Sequence, residues 1–209
     1  MRTSNTTSHL PIDSILSEIA SRLGAHKRLI LGAPSGAGKT TRVPLALAGF
    51  LEGFDAFPGK IVMLEPRRIA ARMAATRMAT TLGEKLGQRI GLSTRVDRQV
   101  SRDTKVAVIT DGLFTRRLLA DPELSGVSVV IFDEIHERSL SADLGLALAL
   151  ETQSALRDDL HLMAMSATLD TAEMARKLDA PVNESAGRQY HIDTRNQGSP
   201  QDSHVNQMA

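Results

Sequence analysis

Short, almost wholly apolar runs recur along this chain at intervals filled by helical spacing, and that alternation constrains the fold more than any other feature. The runs are RLILG (28–32), KIVMLE (60–65), KVAVIT (105–110), VSVVIFDE (127–134) and LHLMAMSA (160–167). They lack the polar alternate positions of a half-exposed strand, as expected of strands covered on both faces. Between them, KTTRVPLALAGFL, PRRIAARMAATRMATTL, GLFTRRLLA and SADLGLALALETQ carry helical periodicity. Strand–helix–strand repetition predicts right-handed crossovers and an α/β fold, a parallel sheet with helices on both faces. A further helix is expected at about 11–23, before the first strand.

The 209 residues are most simply one domain, a size that buries roughly 70% of the unfolded surface. Near residue 183 the pattern dissolves. GRQYHIDTRN has room for one short strand, and 193–209 reads as a disordered tail. The expected division is an N-terminal tail at 1–9, one domain at 10–182, and a remainder at 183–209. Cysteine is absent, which excludes a disulfide framework and any thiolate metal site and fits a reducing compartment. The opening MRTSNTTSHL lacks the apolar core of a signal peptide, and no run approaches the ~20 residues of a membrane span. A soluble, cytoplasmic chain with no membrane contact is therefore expected. Net charge is +1 and aromatics make up 3%. Any contact with nucleic acid is then local and made to phosphates, with neither a global basic field nor a stacking platform.

Directly after the first strand stands APSGAGKTT, Ala33, Pro34, Ser35, Gly36, Ala37, Gly38, Lys39, Thr40 and Thr41. It follows the phosphate-binding pattern G-x-x-x-x-G-K-[ST], with Ala33 in the first glycine position. Gly36 and Gly38 sit where the backbone turns around phosphates, and the helix beginning near Lys39 offers aligned amides and a positive dipole end. Lys39 reaches the β/γ-phosphates and the Thr40 hydroxyl holds Mg²⁺. The plain alternative is an ordinary glycine-rich strand-to-helix turn.

VVIFDEIHERS places Asp133 and Glu134 at the carboxyl end of an apolar strand, the edge where ligands bind in a parallel sheet. Asp133 suits the Mg²⁺ shell, and Glu134 suits orienting and deprotonating the attacking water. The alternative is a charged strand end with His136 as a solvated surface residue. A phosphate cradle upstream in the same α/β repeat favours a P-loop NTPase site.

These residues resemble the DEAH/DExH helicases of superfamily 2. DEIH, with Ile135 at the alanine position, resembles their motif II. MSATLD, with Ser166, Ala167 and Thr168, resembles motif III, the segment that couples the ATP site to strand movement. LEPRRIAARMAATRMA resembles motif Ia and VITDGLFTRRL motif Ib; GLSTRVDRQVS is a looser match to the stretch before it. LPIDSIL, APSGAGKTTRVPLAL and DEIHERSLSADLGLALAL are similar, more narrowly, to the bacterial HrpB-type ATP-dependent helicases. The resemblance covers about residues 10–190.

It implies a RecA-like first domain, ATP with Mg²⁺ as ligands, Lys39, Glu134 and His136 as the catalytic set, and a single-stranded nucleic acid, RNA before DNA, as partner. Arg67, Arg68 and the Thr110-Asp111-Gly112 turn then touch the nucleic-acid backbone. Arginines beside a proline at a helix start give fixed phosphate donors, and glycine admits close backbone approach; such contacts carry no sequence readout. The alternative for Arg67, Arg68, Arg72 and Arg77 is a solvated helix face opposite Ile69, Met73 and Met78. For Ser166–Thr168 it is a strand end leading into a helix capped by Asp170 with Glu173 in a capping box.

Such helicases continue into a second RecA-like domain whose arginines complete the ATP site, an effect of roughly 10³–10⁵ in turnover at comparable sites. Here the chain stops soon after motif III and its last residues, NQGSPQDSHVNQMA, are unlike that continuation, so a truncated or frame-disrupted product with impaired activity is expected. The rival from another class is a non-catalytic remnant that docks a partner on the face left by the second domain. A small-molecule kinase is disfavoured by DEIH and SAT.

Overall fold

The computed structural model describes residues 9–137, 139–167 and 171–185. After a 3₁₀ turn at Pro11–Ile15, the elements run α1 (Leu16–His26), β1 (Arg28–Gly32), α2 (Lys39–Leu47), β2 (Lys60–Leu64), α3 (Arg68–Thr81), β3 (Ile90–Ser93), β4 (Arg98–Gln99) and β5 (Val106–Ile109). They continue with α4 (Asp111–Ala120), β6 (Val127–Phe132), a 3₁₀ turn (Ile135–Glu137), α5 (Leu140–Ala155), β7 (His161–Ser166), α6 (Ala172–Leu178) and β8 (Val182–Glu184).

The strands form one sheet in the order β4-β3-β5-β2-β6-β7-β1-β8. Only the short β4 pairs antiparallel, with β3; the other ladders are parallel. All five apolar runs are strands of this sheet, and their two faces explain their composition. Leu29, Leu31, Ile61, Met63, Val106, Val108 and Ile131 pack under α1, α2 and α3. The alternate residues Ile30, Val62, Leu64, Val130, Phe132 and Leu162 pack under α4, α5 and α6. Both faces are dry, so no position in these strands is polar by alternation. Phe114 of α4 meets Phe132 of β6 edge to face, with centroids 5.8 Å apart.

From β1 the chain moves across the sheet through β2 to β3 with its helices on the first face. From β5 it returns through β6 and β7 with its helices on the second. Reversing direction and face together keeps every crossover of one hand, as the twist of strands demands. It also sends the connection after β1 to one face and those after β6 and β7 to the other. A crevice opens at the carboxyl edge where they part, the usual place for a ligand in such sheets.

Where sequence and structure differ, the cause is local. β4 and β8 hold two and three residues, too short to carry a pattern, and β3, IGLS, has Gly91 and Ser93 in place of an unbroken apolar run. β8 pairs with β1 and crosses the boundary expected between 182 and 183. The expected opening helix is a 3₁₀ turn followed by α1. Helix α6 takes Thr171 as its N-cap; Asp170, like Thr168, GRQYHIDTRN and the tail at 193–209, lies outside the described residues. On α3 the buried side is Ala71, Ala74, Ala75, Met78 and Ala79, while Ile69 is 77% and Met73 67% exposed. A stripe of small residues lets α3 lie close on the sheet, and that stripe, not the larger apolar residues, sets its rotation.

Candidate nucleotide site

The loop from Ala33 to Gly38 leaves β1 at the crevice. Its root is tied to the end of β7, since Ala33 N–H donates to the Ser166 carbonyl at 3.0 Å. Gly36 and Gly38 have φ of 82° and 96°, values that suit glycine alone. Ala33 has no positive φ and is fully buried, so the glycine of the general pattern is dispensable there. Gly38 is the N-cap of α2, whose first amides lack partners within the helix. Ser35 and Gly36 are exposed and Ala37 is buried.

Lys39 is 3% exposed, and its Nζ donates to Glu134 Oε1 at 2.9 Å. Asp133 directly follows β6, buried at 4% exposure. One of its oxygens accepts the Glu134 N–H at 2.9 Å, and the Thr40 hydroxyl lies near enough to favour the charged carboxylate. Burial pushes the Asp133 carboxyl up to about 6 against the effect of that hydroxyl, and the neighbouring Glu134 charge adds to the rise. Glu134 itself is held at φ 50°, a strained conformation for a residue with a side chain.

Asp133 Oδ2 and Glu134 Oε2 are inaccessible to solvent and have no hydrogen-bond partner. Nδ1 of His136 stands 3.3 Å from Glu134 Oε2, yet it accepts the Ala167 N–H at 3.4 Å. An accepting Nδ1 puts the proton of a neutral ring on Nε2, so the close approach to Glu134 is not a hydrogen bond. His136 is thus a bridge between the carboxylate loop and the end of β7, at odds with a merely solvated residue.

Open acceptors next to a buried lysine, a hydroxyl and a glycine-cornered helix start fit a phosphate chain with a divalent cation. Thr40 and Asp133 are the residues that could hold the cation, and Lys39 with the loop amides the phosphates.

Glu65 escaped the sequence reading, which took it as the end of KIVMLE. It stands at the end of β2, beside β6, at 3% exposure. Its carboxylate accepts the Arg67 N–H at 3.4 Å. Burial, then the charge of Asp133, pushes its carboxyl up to about 8. A group held above its ordinary 4.5 binds more protons folded than unfolded, so stability falls as pH rises across that window. Glu65→Gln removes this loss. Thermal melts without metal should show the variant above wild type at pH 8, by about 2–4 °C for each kcal/mol retained. The gap should close towards pH 5; equal melting at both pH values would refute the shift.

A cleft of about 520 Å³ adjoins the site, lined among others by Thr40, Glu65, Arg67, Arg77, Glu134 and His136. Arg67 spans it to pair with Glu137 at 2.7 Å. A second cleft, of about 480 Å³, holds Thr110 and Gly112 together with Arg95, Arg116, Leu140 and Leu144. The expected nucleic-acid contacts are therefore divided between two clefts, with Arg68 exposed at the start of α3. Asp111 is buried and accepts the Ser139 hydroxyl at 2.9 Å. Arg95 and Arg116 were not singled out from sequence; only a basic residue near the Thr110 turn could have signalled them.

The family model for DEAD/DEAH box helicases matches residues 13–176. The chain belongs to that family. This helicase-family domain is 47% identical over 189 residues to the ATP-dependent RNA helicase HrpB of Escherichia coli, covering 90% of the chain and 23% of the relative. It is 32% identical to an ATP-dependent RNA helicase HrpA homolog of Haemophilus influenzae, over 89% of the chain and 14% of the relative. A crystal structure of the E. coli DEAH/RHA helicase HrpB superposes with a TM-score of 0.83 at 46% identity, covering 88% of this chain and 23% of that one. The chain thus spans about a quarter of the length of that relative.

Proposed function

We propose that this domain binds ATP with Mg²⁺ and hydrolyses it in response to a single strand of nucleic acid, RNA before DNA. The observation that carries the reading is the buried Lys39–Glu134 pair beside Asp133, with two carboxylate oxygens left open. ATP and Mg²⁺ supply the scissile phosphate and its charge neutralisation. Lys39 binds the β/γ-phosphates, Thr40 and Asp133 hold the cation, and Ala33–Thr41 form the cradle. Glu134, which lines the cleft and whose Oε2 has no hydrogen-bond partner, takes the proton of the attacking water. His136, whose ring stands 3.3 Å from that carboxylate and accepts the Ala167 N–H, feels its charge by proximity and passes it to Ala167, and so to Ser166 and the segment expected to include Thr168.

Arg67, Arg68, Thr110 and Gly112 contact the backbone of the strand, joined by Arg95 and Arg116. The relatives named as RNA helicases favour RNA. A cytoplasmic location is proposed with it; among the described residues no helix is long and apolar enough to cross a membrane. The exposed Met73, which lines the nucleotide cleft, and the exposed Ile69 one turn before it on α3 favour a second reading, a face that docks another domain or partner.

The test is Mg·ATP binding and hydrolysis by the purified chain, with single-stranded RNA, single-stranded DNA, or neither. Saturable binding and turnover raised by RNA are expected. No binding at millimolar nucleotide sinks the reading.

A further inference from the structure

LPIDSIL, the stretch ahead of α1, takes no part in the site as described, yet it packs directly on the phosphate cradle. Ile12 N–H donates to the Ala37 carbonyl at 3.1 Å. In a trans peptide the C=O and the following N–H point in opposite directions. Anchoring the Ala37 carbonyl towards Ile12 therefore turns the Gly38 N–H away from Ile12, out of the N-terminal segment. Leu10 and Ile12 close over Gly38 so tightly that a Cβ there would stand 2.7 Å from Leu10 Cδ1 and 3.3 Å from Ile12 Cγ2.

Asp13 completes the attachment. One carboxylate oxygen accepts the Leu10 N–H at 2.9 Å and the other the Arg42 Nε–H at 2.6 Å. The side chains of Asp13 and Arg42 are 9% and 16% exposed, so the pair is well shielded and worth more than a surface bridge. Arg42 sits in the first turn of α2, where a cation opposes the helix dipole unless an anion neutralises it. The segment thus grips both ends of the last cradle peptide, the carbonyl at Ala37 and the helix turn behind Lys39.

We propose that residues 10–13 are a clamp that preorganises the cradle, with Asp13 and Arg42 as positioning residues for nucleotide binding. The inference rests on the nucleotide reading above. A free loop must order its amides when phosphate arrives, and that cost is subtracted from affinity; the clamp settles it during folding. Releasing the clamp weakens phosphate binding while leaving the sheet and its two cores in place.

The experiment is calorimetric titration of Mg·ADP into the chain and into Asp13→Ala, Arg42→Ala and the double variant, with Ser17→Ala, exposed on α1, as control. Amide hydrogen exchange across 34–40 accompanies it without nucleotide. Kd is expected to rise about tenfold, equivalent to ~1.4 kcal/mol, in either single variant. The double variant should be no worse than the singles, exchange at 37–38 should quicken, and Ser17→Ala should match wild type. The exchanged pair Asp13→Arg with Arg42→Asp should recover part of the loss, which a merely destabilised fold does not do. Unchanged affinity in both single variants, with wild type binding, overturns the clamp alone. A wild type that binds no Mg·ADP overturns the nucleotide reading and the clamp with it. Should Asp13→Ala fail to fold, Arg42→Ala and Asp13→Asn decide: tight binding with quickened exchange in neither refutes the clamp.

Discussion

Lys39→Ala is expected to abolish Mg·ATP binding and, unlike most substitutions of a ligand-binding lysine, to destabilise the nucleotide-free chain. The Nζ is buried against Glu134 Oε1 at 2.9 Å and faces the buried Asp133 as a second anion. Removing the cation leaves two carboxylates facing each other across a dry crevice. Breaking a fully buried pair costs about 3–5 kcal/mol. Glu134 keeps 21% side-chain exposure, and either carboxyl can take up a proton, so about 2 kcal/mol is expected at pH 8. For a chain of this size that lowers Tm by roughly 4–8 °C. The loss shrinks towards pH 5, where Asp133, already lifted to about 6, is protonated. Thermal melts and equilibrium dialysis with Mg·ATP measure the two effects independently. Binding as tight as wild type would remove Lys39 from the phosphate site, and an unchanged Tm would deny that its charge is structural.

The difference between what sequence revealed and what it hid follows from the range over which each feature is encoded. The five strands were legible because each buries both faces, and an unbroken apolar run is the trace of that. The cradle and the Asp133-Glu134 step were legible because their chemistry lies in adjacent residues, where spacing alone carries the geometry. β3 and β8 hold their places by pairing with β5 and β1, long-range neighbours that leave no mark in IGLS or VNE, where polar residues and a glycine break the apolar run. Ile69 and Met73 illustrate the opposite failure: apolar residues at helical spacing predicted a buried side, but the small residues Ala71, Ala74 and Ala75 govern the approach of α3 to the sheet.

Glu65 and Arg42 were hidden for a further reason. Each matters through a partner distant in sequence, Glu65 through Asp133 and Arg42 through Asp13. A lone carboxylate at a strand end and a lone arginine on a helix say nothing until the fold brings them together. The candidate site is thus readable in its reacting groups and unreadable in what positions them.

Glu134→Gln separates these roles most sharply. The amide oxygen can still accept from Lys39 Nζ at the place of Oε1, so the lysine remains satisfied and the crevice remains closed. What disappears is a negative charge beside the phosphates and the open acceptor at Oε2. Loss of the charge removes repulsion towards ATP, so affinity for Mg·ATP is expected to hold or tighten. Loss of the acceptor removes the base for the attacking water, and general-base catalysis is worth about 10²–10⁴ in rate. Single-turnover hydrolysis with RNA present is therefore expected to fall by at least ~10² while dialysis shows binding intact. This is the reverse of Lys39→Ala, where binding itself goes. Turnover within a few-fold of wild type would mean that the proton of the attacking water leaves through another group; Glu65, whose carboxyl is pushed up to about 8, holds its own proton at pH 7 and can take another group's only when ionised, so a rate that climbs above pH 8 would point to it.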